Sequence, residues 1–385
     1  MNNSVWLPLI FELPHSSKSA SPNHRAGPAE GGAGEQRSLK TDLHVNIMPR
    51  RIIQKVTALT DSNRILVTGG YGCIGVQTVK WILANTSATV VVGSRDVTQR
   101  RTDRFFHDDD TARLKCVSLD VRKQRQLEEV LTANEITHVI HLAAFQTPDC
   151  NEHRDMGLQI NVAGTQNLIE AMKACGPLVQ RFVFASSIAV YGPRSSYPGN
   201  RVSMLAEPAP VNVYGAWKLA GEHISRLFCD ETSIPTVSLR PGVLFGPGRD
   251  AGLTSTPTTA MKYVALGQPY EIPFCSRQDY LYAPDVGAAF ALAAVAPYDG
   301  YGVFTLPSHT VDTAEIVATL RQAASETELG ENFGITAGTE EVPFICDLEY
   351  EPFLQAFPDT PHTQLAAAIQ ESLEEFKIQH ERGWL

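Results

Sequence analysis

The 385-residue chain has no C-x-x-C pair, no apolar run long enough to span a membrane and no excess of basic charge. Its seven cysteines, at 73, 116, 150, 175, 229, 275 and 346, are odd in number and scattered. That excludes a zinc ribbon and a thioredoxin motif and reads as buried, reduced thiols of an intracellular protein. No metal site is expected. No stretch approaches the roughly 18–20 apolar residues of a spanning helix, so no membrane partner is expected. Lys and Arg number 32 against 42 Asp and Glu, a net charge of −10. This excludes a surface built to coat nucleic acid and leaves room for a local basic pocket.

The first 60 residues also lack what the rest has. The apolar stretch Val5–Pro14 has no basic residue before it, as a signal peptide requires. Residues 21–38 are rich in Gly, Pro and Ser without apolar periodicity. Residues 1–60 are therefore expected to be a disordered leader and the protein cytoplasmic. Import into an organelle by this leader, or a working start at Met48, stay open as alternatives. The leader carries seven basic and four acidic side chains, which leaves −13 on the remainder.

What is present is an ordinary globular composition, 43% hydrophobic, in a chain long enough for two or three domains or one large α/β unit. From Arg64 onward, short β-branched runs at 64–68, 89–92, 114–118, 138–142, 181–185 and 236–240 alternate with helical patterns at 75–84, 124–132, 156–174 and 214–229. The alternation predicts a doubly wound parallel sheet covered by helices on both faces. The first strand runs into Gly69, Gly72 and Gly75 and then a helix carrying Cys73 and Ile74. In that context the glycines permit a tight turn, close approach of a pyrophosphate and close helix packing. The helix N-terminus offers free N–H groups to the phosphates.

The second strand ends in Ser94-Arg95-Asp96. Ser94 stands where a ribose-binding acid is usual, and with Arg95 it suits a 2′-phosphate, which points to NADP. The competing reading makes Asp96 the ribose acid and the cofactor NAD. Asp120-Val121 follow the third strand and can meet the adenine. His141-Leu142-Ala143-Ala144 end the fourth, where backbone meets cofactor. His138 and His141 read as packed core histidines.

Of the eleven tyrosines only Tyr214 has a lysine four residues on, Lys218. On a helix the two share a face, and the ammonium is expected to lower the phenol's pKa and make Tyr214 an acid/base near neutrality. The preceding strand ends in Ser186-Ser187, where a hydroxyl can hold the reacting oxygen.

With VTGGYGCIG, LDV, HLAA, INVAGTQNL, FASSIAVYG, NVYGAWKLAGE, LRPGVLFGPG and QDYLYAPDVG in order across residues 64–295, the chain resembles the extended short-chain dehydrogenase/reductases of the NAD(P)-dependent epimerase/dehydratase family. The resemblance implies a Rossmann core, about 64–240 plus 284–295. It also implies a smaller, interleaved substrate lobe, about 190–212, 242–280 and 302–385. It implies Ser187, Tyr214 and Lys218 as the catalytic set, Asn161 among the cofactor residues, Phe145 and Gln146 beside the substrate, and a homodimer paired through the helices at 156–174 and 214–229.

Dehydratases and decarboxylases of this family carry an acid after the catalytic serine; here Ile188 and Ala189 follow Ser187. That leaves hydride chemistry on a carbohydrate-like secondary alcohol or ketone, with nucleotide-sugar 4-epimerisation as the alternative. A cofactor-sensing, inactive relative would have lost Tyr214 or Lys218. Departures near Arg277 and in residues 248–257 speak against a UDP-sugar. Arg249 or Arg277 is expected to clamp a carboxylate or phosphate, with Thr254, Ser255 and Thr256 suited to a polyol or sugar acid.

Overall fold

The computed structural model describes residues 63–385 apart from 108, 110, 253, 326–333 and 343–344. The expected leader, residues 1–60, lies outside the described residues. Twelve strands are described: β1 (Arg64–Thr68), β2 (Thr89–Ser94), β3 (Leu114–Ser118), β4 (His138–His141), β5 (Arg181–Ala185), β6 (Thr236–Arg240), β7 (Val243–Phe245), β8 (Tyr270–Phe274), β9 (Arg277–Tyr282), β10 (Tyr301–Thr305), β11 (His309–Asp312) and β12 (Ile335–Glu340).

Seven of them form one parallel sheet in the order β10-β6-β5-β4-β1-β2-β3. The central strands β1, β4 and β5 are apolar and buried on both faces, as a helix-covered parallel sheet requires. The helices Cys73–Asn85 and Ala283–Val295 pack together on one face, and Gln124–Ala133, Gly164–Ala174 and Val213–Thr232 lie on the other. The order reverses between β1 and β4, so a crevice opens at their carboxyl ends.

The smaller lobe has its own core, in which Phe245, Met261, Ile272, Tyr280, Leu320 and Phe376 pack together. Its strands form a β11-β9-β7 sheet and a β12-β8 pair. The boundary of this lobe differs from the expected one. Residues 301–305 form β10, the edge strand of the large sheet, and pair in parallel with β6.

The helix expected at 156–174 is also interrupted. A wide turn at Gln159–Ala163 separates Arg154–Leu158 from Gly164–Ala174. There Asn161 accepts from the Phe145 N–H at 2.8 Å and donates to the Phe145 carbonyl at 2.9 Å. A π-type turn of this kind inserts one residue into the helix, and here it aims Asn161 at the loop after β4.

Candidate active site

The crevice is a cleft of about 680 Å³ at the carboxyl ends of the parallel strands. One wall is the glycine loop. Gly69 has φ +69°, and a Cβ there would meet the Ala143 backbone nitrogen at 2.9 Å. A Cβ on Gly75 would fall 2.6 Å from the Gly69 carbonyl oxygen. Both positions therefore exclude side chains. Gly72 meets only the Gly69 carbonyl and otherwise faces open space, a cradle that any side chain would fill. No side chain caps the helix that begins at Cys73, so its first turn presents N–H groups and the positive dipole end to the cleft.

Ser94 and Arg95 lie at the end of β2, and Asp120 and Val121 follow β3. Leu142, Ala143, Ala144, Phe145 and Gln146 follow β4, and all of these line the cleft with Cys73 and Ile74. The Arg95 guanidinium lies over the Phe145 ring at 5.9 Å. Arg101, absent from every sequence motif above, joins them. It donates to the Asp96 carbonyl at 3.0 Å and carboxylate at 3.2 Å and lies over the Tyr71 ring. Asp120 is the sole carboxylate residue among the described lining residues, and Arg122 clamps it at 2.6–3.1 Å, which lowers its pKa. Lys218, Arg95, Arg101 and Arg249 set four cations against it.

The reacting end is built by β5 and the Val213–Thr232 helix. Asn212 caps that helix, accepting from the Gly215 N–H at 2.9 Å. The first turn carries Tyr214, which faces the cleft together with Ser187 just past β5, where the Ser187 hydroxyl accepts from the Ala189 N–H at 3.1 Å. Lys218 follows one turn later and is 4% exposed; its ammonium donates to the Ala185 carbonyl at 2.6 Å and lies 5.7 Å from the centre of the Tyr214 ring. Burial lowers the Lys218 pKa to about 8.

The Tyr214 phenol is not lowered as expected. Burial raises its pKa, while the nearby Ser187 hydroxyl and the positive charge of Arg249 pull the other way. The lysine is spent on a backbone carbonyl, so the cations acting on the phenol include one from the smaller lobe.

One further turn along, Glu222 accepts from Arg240 at 2.7 Å through both carboxylate oxygens. Both side chains are buried. Ser186 also donates to Glu222, and Arg240 donates to the Tyr191 hydroxyl at 2.6 Å. The network ties the helix carrying Tyr214 and Lys218 to the strand end carrying Ser187. Neither Glu222 nor Arg240 was singled out from the sequence; the signal available was the i+4 spacing of Glu222 from Lys218.

His141 is a core histidine, as read. Its ring bonds Thr68 at 2.7 Å and Thr165 at 3.2 Å, and burial lowers its pKa to about 3. Two expected site residues stand elsewhere. Asn161 does not line the cleft, because its amide is consumed by the Phe145 backbone; it positions that loop. Arg277 is also off the cleft, bound through two nitrogens to Asp347 at 3.2 Å. Arg249 does reach the cleft, beside Gln146 and Thr254. Among the described residues no cluster of His, Cys, Asp or Glu is placed to hold a metal, and no helix is long and apolar enough to cross a membrane.

Comparisons with known proteins agree with this geometry. The model of the NAD dependent epimerase/dehydratase family matches residues 65–305. D-erythronate dehydrogenase of Haemophilus influenzae is 24% identical over 275 residues, 68% of this chain and 83% of its own length. The dTDP-L-rhamnose 4-epimerase of Burkholderia thailandensis is 27% identical over 299 residues, 68% and 82% of the two chains. The crystal structure of UDP-glucose 4-epimerase from Thermus thermophilus, a complex with NAD, superposes with a TM-score of 0.67 at 25% identity, covering 82% of this chain and 99% of that one. With its glycine loop, its Ser187–Tyr214–Lys218 constellation and a family match over more than half its length, the chain belongs to the NAD dependent epimerase/dehydratase family and is an enzyme of the extended short-chain dehydrogenase/reductase type.

Proposed function

We propose that the protein is an NADP-dependent dehydrogenase or reductase acting on a secondary alcohol or ketone of a carbohydrate-like substrate. The observation that carries this reading is the convergence of Ser187, Tyr214 and Lys218, the last one helical turn past the tyrosine, in a cleft walled by the glycine loop.

The open face of Gly72 and the uncapped first turn after it fit a pyrophosphate, and Lys218 and Tyr214 fit the nicotinamide ribose end. When bound, the nicotinamide supplies the acceptor or donor of hydride. The chain's residues do the rest. Ser187 holds the substrate oxygen at the phenol. Tyr214 takes the hydroxyl proton in oxidation and returns it in reduction. Because burial favours the neutral phenol, Tyr214 rests as the acid, ready to protonate a forming alkoxide. Orientation of the substrate against a fixed phenol supplies much of the rate.

Elimination of water or loss of carbon dioxide would need a carboxylate near Tyr214. Asp120, the lining carboxylate, stands past β3 and is held by Arg122. Arg95 and Arg101 near the end of β2 favour a 2′-phosphate and hence NADP over NAD. The 4-epimerase reading uses the same residues, and the names of several relatives favour it. Net change in nicotinamide absorbance separates the two. We also propose a homodimer, on the strength of the exposed Leu227 on the Val213–Thr232 helix and of exposed Leu158.

Tyr214→Phe tests the assignment. Turnover should fall below detection while NADP still binds, followed by nicotinamide fluorescence and absorbance. Retained turnover would remove Tyr214 from the mechanism.

A further inference from the structure

We infer that Arg249, with Gln146 and Thr254, binds a carboxylate on the substrate, so that the enzyme acts on a sugar acid. The inference rests on the hydride-transfer reading above and names its substrate class.

Arg249 follows β7 on a loop with two left-handed glycines, Gly246 at φ +100° and Gly248 at φ +88°. The loop turns its guanidinium into the cleft beside the reacting end. There it has neutral partners only. One terminal nitrogen donates to the Gln146 side-chain oxygen at 3.2 Å, the other to the Thr254 hydroxyl at 3.3 Å. Its Nε is buried and bonded to nothing. No described Asp or Glu stands within ion-pair distance of it. Of the other arginines nearby, Arg194 and Arg277 share Asp347, and Arg240 pairs with Glu222.

Arg249 is half-buried, but its Nε is shut off from water without a partner, which is unfavourable, and an anion that completes its bonds removes the penalty. The planar fork of donors matches the two oxygens of a carboxylate.

The surroundings are shaped to keep this group in place. A Cβ on Gly252 would lie 2.5 Å from the Gln146 side-chain oxygen and 2.8 Å from a terminal nitrogen of Arg249. Gly252 also has φ +108°, a backbone conformation that favours glycine. The charge of Arg249 also acts on the Tyr214 phenol, so an anion bound there lies beside the reacting hydroxyl.

An oxyanion at this place has two sources, a substrate carboxylate or a cofactor phosphate. The phosphates already have the first turn of the Cys73–Asn85 helix. Arg249 is bonded to Gln146 after β4 and to Thr254 of the smaller lobe, while its loop also packs on that turn, a Cβ on Gly248 falling 3.5 Å from Cys73 Cα. The carboxylate is the source these contacts favour.

The test is calorimetry on the Tyr214→Phe protein saturated with NADP or NAD, which binds without turnover. D-erythronate and D-gluconate are titrated against erythritol and D-glucitol, chains of equal length without the carboxylate. The acids should bind at least about tenfold more tightly, the scale of a hydrogen-bonded charge pair only partly withdrawn from water. Arg249→Gln should erase that ratio and Arg249→Lys should keep part of it, with cofactor affinity unchanged in both.

Equal binding of acids and polyols, or no binding of either acid, would overturn the inference. So would an Arg249→Gln protein that loses NADP affinity and keeps the ratio, which would hand Arg249 to the cofactor phosphates. If the acids bind but the unmutated enzyme oxidises none of them with either cofactor, the hydride-transfer reading fails and the carboxylate site stands.

Discussion

Replacing Lys218 by methionine should make the protein more stable near neutral pH while destroying its activity, and the gain should fade as the pH rises. Lys218 is 4% exposed, and its folded pKa is lowered by burial from 10.5 to about 8. Between these two values the unfolded chain binds more protons than the folded one. Stability from this group therefore rises with pH across the window and is lowest below about pH 8. One pKa unit corresponds to about 1.4 kcal/mol, so from about pH 7 to about pH 10 the unmutated protein should gain about 2.5 kcal/mol that Lys218→Met lacks. Methionine keeps much of the apolar stem and gives up the bond to the Ala185 carbonyl, which offsets part of the gain at neutral pH. The assay is urea unfolding of both proteins, without cofactor, at a series of pH values. The difference between them is read at each pH, so that other titrating groups cancel. A difference that stays flat over this range would show that burial does not penalise the ammonium, and the argument would fail.

Gly75→Ala places a Cβ 2.6 Å from the Gly69 carbonyl oxygen and 2.7 Å from Gly70 Cα, both backbone. The loop must shift, so a stability loss of about 1–3 kcal/mol and weaker cofactor binding are expected, read by urea midpoint and fluorescence titration. Arg240→Met leaves Glu222 buried without its charge partner and should cost about 3–5 kcal/mol; adding Glu222→Leu should restore part of it, which chemical denaturation of the three variants checks. Arg95→Ser should weaken NADP about tenfold or more and leave NAD nearly unchanged, measured as the ratio of the two dissociation constants.

The sheet was legible in the chain because its inner strands are buried on both faces and so write unbroken apolar runs, as Ile65–Val67 and Val90–Val92 do. The glycine loop and Tyr214–Lys218 were legible because their chemistry depends on spacing within one segment. Arg101, the Glu222–Arg240 pair and the true role of Asn161 depend on contacts between segments far apart in the chain. Asn161 is sixteen residues from Phe145 and Glu222 eighteen from Arg240, and neither spacing marks a partner. Arg277 misled for the same reason, since its partner Asp347 lies seventy residues away. The effect of Lys218 on Tyr214 was misjudged because helical spacing puts two side chains on one face without saying which acceptor the ammonium will choose.

The four cations that line the cleft sit in a chain whose charge elsewhere is strongly negative. A bound phosphate-bearing cofactor sets its negative charge against them. Ligand occupancy and resistance to unfolding are therefore thermodynamically linked: free cofactor at a hundred times its dissociation constant adds about 2.7 kcal/mol to the folded state. Capture of an anion into such a focused field quickens at low ionic strength and slows as salt screens it. The resistance of the enzyme to unfolding thus depends on the supply of its cofactor.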